Sequence, residues 1–331
     1  MINIAIVGAT GLVGRTMLRV LEERQVQVGE LRLLASKRSA GMVIQGLGRE
    51  NVVQELTPDS FAGMDYALFS AGGAISKIYA PIAANAGCVA IDNSSSWRMD
   101  PAVPLVVPEV NPDDAYKHSG IIANPNCSTI QLVVALKPLI DMYGAKRLVV
   151  STYQSPSGAG QQGVDQLRAE LAGDEPQNRI TPHTLAMNTV FHTIEELNGS
   201  SEEEVKMMRE TRRILHLPDL PVAVTCVRVP VLGGHAESVS LETERPCDPD
   251  AARKLLSARE GIVVVDDPAS HTYPTPAASK DTDPVYVGRI RSDTSVEHGL
   301  LMWVVADNLR KGAATNAVQI LQLLTNPAKT S

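Results

Sequence analysis

The feature that most constrains this chain is Gly8-Ala9-Thr10-Gly11-Leu12-Val13-Gly14, set between two patterned segments. Met1 to Val7 reads as a short apolar strand. Met17, Leu18, Val20 and Leu21 recur at helical spacing within Arg15 to Glu23. Strand, glycine turn and amphipathic helix, in that order, are the first unit of a dinucleotide-binding fold. Glycines let the backbone approach a pyrophosphate, and the helix N-terminus turns N–H donors toward it. The spacing is G-x-x-G-x-x-G rather than G-x-G-x-x-G, so the strand–turn–helix context carries the reading. A tight turn packed for structural reasons is the alternative. Gly8, Thr10, Gly11, Leu12 and Val13 are the candidate cofactor contacts.

Leu31 to Leu34 reads as a second strand, followed by Ala35-Ser36-Lys37-Arg38-Ser39. An NAD site usually places an acidic residue here to hold the ribose diol. Hydroxyls and two cations suit a 2′-phosphate instead, so Ser36, Lys37 and Arg38 point to NADP. A solvated basic turn is the alternative. Asp65 to Ser70 and Cys88 to Asp92 continue the strand series, with a helix from about Ile75 to Ala86 between them. That β-α-β rhythm implies a parallel, doubly wound sheet. Asn93 to Arg98 leaves a strand end, where such sheets form ligand sites. Arg98 reads equally as an anion clamp or a surface charge.

The second landmark is Asn124-Pro125-Asn126-Cys127-Ser128-Thr129, a turn, followed by the apolar run Ile130 to Leu136, a helix. Cys127 then sits in the first helical turn, where unpaired N–H groups and the helix dipole favour an anion. A thiol there ionises more readily, and the thiolate is the nucleophile. A buried cysteine acting as a small hydrophobe is the alternative.

Beyond Cys127 the texture changes. Lys146 to Gln154 alternates as a strand, and Ser155 to Gly160 reads as a flexible segment. Val222 to Val229, Ala236 to Glu242, Val285 to Arg291 and Leu300 to Ala306 are further strands, with a helix from about Ser201 to Leu215. Asp266 to Asp283 reads as a loop, and Ala313 to Leu324 as a closing helix. This is a second α+β domain with a mixed or antiparallel sheet, so the fold class is α/β with a Rossmann-like first domain. We expect an NADP-binding domain over 1–126 plus 307–331 and a catalytic and dimerisation domain over 127–306.

The 331 residues suffice for two domains. Thirty basic against 37 acidic residues give a net charge of -7, and aromatics make up 4%, which argues against a nucleic-acid surface. No run is long enough to span a bilayer, and the N-terminus shows no cationic leader segment. Cys88, Cys127, Cys226 and Cys247 lack CxxC spacing, so neither zinc nor a disulfide framework is expected. A reducing, cytoplasmic setting follows.

A thiolate attacking a carbonyl needs a proton handler, a carbonyl positioner and substrate anchors. Gln154 ends a strand, where its amide could orient a carbonyl. Arg228 and His235 flank Val229-Pro230-Val231-Leu232-Gly233-Gly234; after a double glycine His235 is expected on a turn with an accessible ring. It reads either as a proton exchanger or as a surface histidine. Glu203 and Lys206 lie i, i+3 on one helix face, where a solvated ion pair is the alternative.

Taken together, these motifs resemble the bacterial aspartate-semialdehyde dehydrogenase family along nearly the whole chain. The matching stretches are Gly8 to Gly14, Asp92 to Asp100, Asn124 to Thr129, Thr152-Tyr153-Gln154, Ser157 to Gly160, Arg228 to Val231, Gly234-His235 and Val305 to Ala314. The resemblance implies reversible, NADP-dependent, phosphate-coupled oxidation of aspartate 4-semialdehyde to aspartyl 4-phosphate. That step leads toward lysine (through diaminopimelate), methionine and threonine. It also implies a homodimer built through the second domain. Cys127 looks like the nucleophile that forms a hemithioacetal and then a thioester, and His235 like the acid/base. Gln154 is similar to the family's substrate-orienting glutamine and Arg228 to its carboxylate-gripping arginine. Arg98 and Lys206 look like the phosphate pair, with Glu203 as a further substrate contact. Ser157, Gly158 and Asn308 look like cofactor contacts near the nicotinamide. The chain departs from the family pattern at Ser155-Pro156, Trp97 and Phe191, none of which removes a chemical group. A related N-acetylglutamyl-phosphate or malonyl-CoA reductase is the neighbouring alternative. A catalytically silent NADP-binding paralogue is the alternative from another class, though it would be expected to have lost Cys127 or His235.

Overall fold

A computed structural model of the chain describes residues 1–194 and 199–325. The chain forms two compact units, Met1–Asn126 with Ala313–Ser331, and Cys127–Gly312. The second crossing comes after Gly312 rather than after Ala306. Asp307 explains why: its Oδ1 accepts from the backbone N–H groups of Leu309 and Arg310, and Arg310 Nε donates to Asp283 at 2.8 Å. These bonds tie the segment to the second unit.

The first unit runs β1 (Ile2–Val7), α1 (Leu12–Glu23), β2 (Val28–Ala35), β3 (Val43–Gly46), β4 (Arg49–Glu55), β5 (Tyr66–Phe69), α2 (Gly73–Asn85), β6 (Val89–Asp92) and β7 (Ile121–Ala123). Its sheet order is β3-β4-β2-β1-β5-β6-β7, parallel except for the β3–β4 hairpin. Ile4, Ala5, Ile6 and Val7 are all fully buried. A strand covered on both faces carries such a continuous apolar run. Gly8 follows at φ +86, and a Cβ there would sit 2.5 Å from the Ser70 carbonyl oxygen, so only glycine fits. No side chain caps α1, which leaves its first N–H groups open toward the glycine turn.

The second unit begins at α3 (Cys127–Tyr143) and continues through β8 (Arg147–Gln154), α4 (Gln161–Ala172), β9 (Val190–Phe191), α5 (Glu202–Ile214), β10 (Val222–Arg228), β11 (His235–Glu242), α6 (Pro249–Ser257), β12 (Ile262–Val264), α7 (Pro276–Ser279), β13 (Val285–Asp293) and β14 (Gly299–Ala306). Its mixed sheet is ordered β12-β13-β14-β11-β8-β10-β9. Alternation along β11 buries His235, Glu237, Val239 and Leu241, while Ser238 is exposed. α3 packs on β11, β13 and β14 and α5 on β10. The chain then returns to the first unit with α8 (Thr315–Thr325), whose Val318, Ile320 and Leu321 join the core of β1 and α1.

Four local expectations change. Ser155 to Gly160 is a structured turn: Ser155 caps a short 3-10 turn over Pro156–Ala159, with Pro156 and Ser157 buried. The 266–283 loop carries α7 and an Asp267–Thr272 bridge. The closing helix starts with a π-helical turn over Arg310–Ala314. His235 is the first residue of β11 and has no exposed surface.

Candidate active site

Strand register builds the centre of the second unit. His235 on β11 pairs with Gln154 on β8, and Gln154 pairs in turn with Arg228 on β10. Three neighbouring strands thus present His235, Gln154 and Arg228 as one row. Glu237, Thr152 and Cys226 form the next row by the same register. Cross-strand partners project to the same face of a sheet. On that face Gln154 Nε2 donates to Ser128 Oγ at 2.9 Å, which ties the row to the first turn of α3. Cys127 is the first residue of that helix and is partly exposed.

Gln154 is nearly fully buried, and its Nε2 also reaches Thr152 Oγ1 at 3.2 Å and Glu203 Oε1 at 3.3 Å. These acceptors orient the amide. Glu203 projects from the first turn of α5, whose start is fixed by the Ser201–Glu204 capping box. Lys206 Nζ lies 2.7 Å from Glu202 and 3.9 Å from Glu203. Burial draws the Arg228 guanidinium below its usual pKa, while Glu203 and Cys127 act in the opposite sense.

His235 is held from behind. The Ser155 backbone N–H donates to its Nδ1 at 3.0 Å, and Nε2 has no hydrogen-bond partner among the described residues. A Cβ on Gly158 would stand 3.3 Å from that Nε2. Burial lowers the imidazole pKa to about 3, although the Gly234 backbone and Glu203 favour the charged ring. Asn308 is buried and committed: its Oδ1 accepts from Gly234 N at 3.1 Å and its Nδ2 donates to Ser157 Oγ at 3.0 Å. It binds the turn before His235 to the turn after Gln154.

A cavity of about 690 Å³ opens beside this row, lined by Gly158, His192, Glu203, Lys206 and Arg228 among others. Among residues that sequence reasoning missed, Ser155 is the hub of the buried turn. Its Oγ donates to the Val231 carbonyl at 2.9 Å and accepts from Gly233 N at 3.0 Å. His192 was also missed as a site residue; nothing local marks it.

The other candidates lie in the first unit. Arg98 is buried, and its Nε and Nη2 donate to the carbonyls of Asn124 at 3.0 Å and Asn93 at 2.9 Å. Asn124 in turn donates to Asn93 Oδ1 at 2.7 Å. Gly8, Thr10, Gly11, Leu12 and Val13 form the turn and start of α1, where the crowded glycine and uncapped helix suit a pyrophosphate. Ser36, Lys37 and Arg38 are exposed just beyond β2, with no acidic side chain among them.

Two family models match in sequence order. One described as the semialdehyde dehydrogenase NAD binding domain covers residues 3–118, and one described as its dimerisation domain covers residues 136–311. The chain is 54% identical to aspartate-semialdehyde dehydrogenase of Aquifex aeolicus, over 97% of each chain. The chain belongs to the aspartate-semialdehyde dehydrogenase family. The Bacillus subtilis member is 46% identical over 98% of this chain and 97% of its own. Aspartate semialdehyde dehydrogenase II of Vibrio cholerae, solved in complex with ASA, superposes with a TM-score of 0.95 at 46% identity, covering 99% of each chain. The Candida albicans enzyme, solved with NADP, gives 0.77 at 26% identity, over 98% of this chain and 99% of its own. Family membership accounts for both sheets: a nucleotide-binding sheet and a mixed sheet carrying the polar row.

Proposed function

We propose that the protein catalyses the reversible, NADP-dependent, phosphate-coupled oxidation of L-aspartate 4-semialdehyde to L-aspartyl 4-phosphate. The observation that carries this reading is the His235–Gln154–Arg228 row anchored to the helix that begins with Cys127. In the oxidative direction the Cys127 thiolate attacks the aldehyde carbon, the carbon–sulfur bond forms, and the carbonyl π pair moves onto oxygen, giving a hemithioacetal oxyanion. His235 Nε2–H donates a hydrogen bond to that oxyanion and keeps its proton. With Nδ1 accepting from Ser155 N–H, the neutral ring carries its hydrogen on Nε2, so the donor half of an acid/base role fits and the base half does not. When bound, NADP would accept the hydride from this carbon, and the oxygen pair would re-form the carbonyl of a Cys127 thioester. Inorganic phosphate then attacks the thioester carbon, the carbon–sulfur bond breaks, and the thiolate leaves as aspartyl phosphate forms. Lys206 offers a cation to phosphate at the cavity edge, Arg228 grips the α-carboxylate and Glu203 faces the ammonium.

For the cofactor, the Gly8 turn and α1 N-terminus receive the pyrophosphate, and Ser36, Lys37 and Arg38 the 2′-phosphate. We further propose a homodimer through the face of the second sheet that carries Tyr153 and Trp303. Their ring centroids lie 5.4 Å apart, and Tyr153 is 37% exposed. Among the described residues no helix is long and apolar enough to cross a membrane. Four cysteines, all outside disulfides, fit a reducing cytoplasm.

The test is NADPH formation from the semialdehyde with and without phosphate. Wild type is expected to require phosphate and Cys127→Ser to be inactive. Phosphate-independent turnover, or an active Cys127→Ser, would sink the proposal.

A further inference from the structure

The cavity beside Arg228 is also lined by His192. β9 pairs antiparallel with β10, Val190 opposite Arg228 and Phe191 opposite Val227. Continuing that register by one residue brings His192 past Val227, on the face that carries Arg228 and Cys226. The contact follows: His192 Nδ1 lies 3.4 Å from Arg228 Nη2. A guanidinium can only donate, so Nδ1 must be the acceptor and the neutral ring carries its hydrogen on Nε2.

One N–H donor is then left over on each of the two contacting side chains. Neither His192 Nε2 nor Arg228 Nη1 has a hydrogen-bond partner among the described residues, and both atoms are shielded from solvent. Buried donors without acceptors are unfavourable, and native structures rarely keep them without a reason. Both residues line the 690 Å³ cavity, as do Glu203 and Lys206. Burial and the cations of Arg228 and Lys206 hold His192 near a pKa of about 4, against the pull of Glu203 and Glu204. The ring therefore remains a neutral donor across the working range of pH.

We propose that His192 is a substrate-binding residue whose Nε2–H, beside Arg228 Nη1, takes one oxygen of the substrate's α-carboxylate. This rests on the semialdehyde reading above. A fork of two different side chains makes carboxylate recognition depend on β9, an edge strand of only two residues. It also gives the site a way to reject an aldehyde that lacks the carboxylate.

The test compares kcat/KM for aspartate 4-semialdehyde and for 3-aminopropanal, which keeps aldehyde and amine but lacks the carboxylate. In His192→Ala the preference for the semialdehyde is expected to fall about 10- to 100-fold, the loss appearing in KM rather than kcat. His192→Gln, whose amide N–H reaches toward the Nε2 position, should recover most of that preference. His192→Asn, which restores only an acceptor for Arg228, should not. An unchanged preference in His192→Ala, or recovery by Asn alone, overturns the proposal. If wild type does not turn over the semialdehyde at all, the function reading fails separately. His192 is then judged by titration with succinate: tighter binding to wild type than to His192→Ala by about tenfold supports it, and equal binding overturns it.

Discussion

The backbone N–H of Ser155 donates to Nδ1 of His235 across 3.0 Å, so the buried ring presents Nε2 to the site with its hydrogen already in place. A backbone donor cannot reverse its role, and a second proton on the ring would set N–H against N–H. We expect ¹⁵N NMR of labelled histidine to show the Nε2–H tautomer, and the kcat profile to lack a His235 limb near neutral pH. His235→Ala should lose about 10²- to 10³-fold in kcat, as loss of one donor to a developing oxyanion does. His235→Gln should recover at least about tenfold of it. Equal loss in both variants would return the ring to a charge-cycling acid/base. The linkage runs the same way. The imidazole pKa drops from 6.5 to about 3 on folding, so the native state binds fewer protons in that window and stability falls as pH drops through it. His235→Gln should flatten that slope.

Glu237 gives the opposite slope. It is fully buried on β11, its carboxylate oxygens lack hydrogen-bond partners among the described residues, and burial drives its pKa well above the usual carboxylate range against the pull of Gln131. A raised carboxyl stabilises the fold below the unfolded pKa and loses that contribution as pH rises through the folded one. Glu237→Gln should therefore raise the thermal midpoint more at about pH 8 than at about pH 4. An equal shift at both would mean that folding does not raise the carboxyl's pKa.

Asn308 should behave as a positioning residue. Asn308→Ala leaves the buried Gly234 N–H without its acceptor, at roughly 1–3 kcal/mol, while Ser157 Oγ keeps its bond to Ser155 Oγ. Urea unfolding should detect the loss. Asn308→Asp, which keeps the acceptor for Gly234, should retain more activity than Asn308→Ala.

Cofactor choice should rest on the exposed turn after β2. Arg38→Glu is expected to raise KM for NADP by about tenfold or more while changing KM for NAD far less, since only NADP carries the 2′-phosphate. Equal effects on both cofactors would remove Arg38 from the site.

Elements whose signal is local could be read from the chain itself. The run of Ile4 to Val7 marks a strand buried on both faces, and Cys127 at the head of an apolar run marks a helix start. The β3–β4 hairpin escaped notice although Leu47 and Gly48, both at positive φ, form its turn. Gly-x-Gly between two short strands was the available signal. His235 differs from its local signal for a tertiary reason. Its double glycine does form a turn, but the β11 pairing with β8 and β14 begins at His235 itself, which buries the ring.

The sequence by itself determined the nucleotide-binding turn, the helix that opens with Cys127 and the residue types available for chemistry. Those depend on neighbours a few positions away. Tertiary structure decided which side chains meet: Gln154 with His235 and Arg228, Ser155 with His235, and His192 with Arg228. The last pair is 36 residues apart and joined only by an edge-strand register. Register is a property of two strands together, and burial a property of everything packed over them. That is why the candidate groups can be read from the chain, while their protonation and partners cannot.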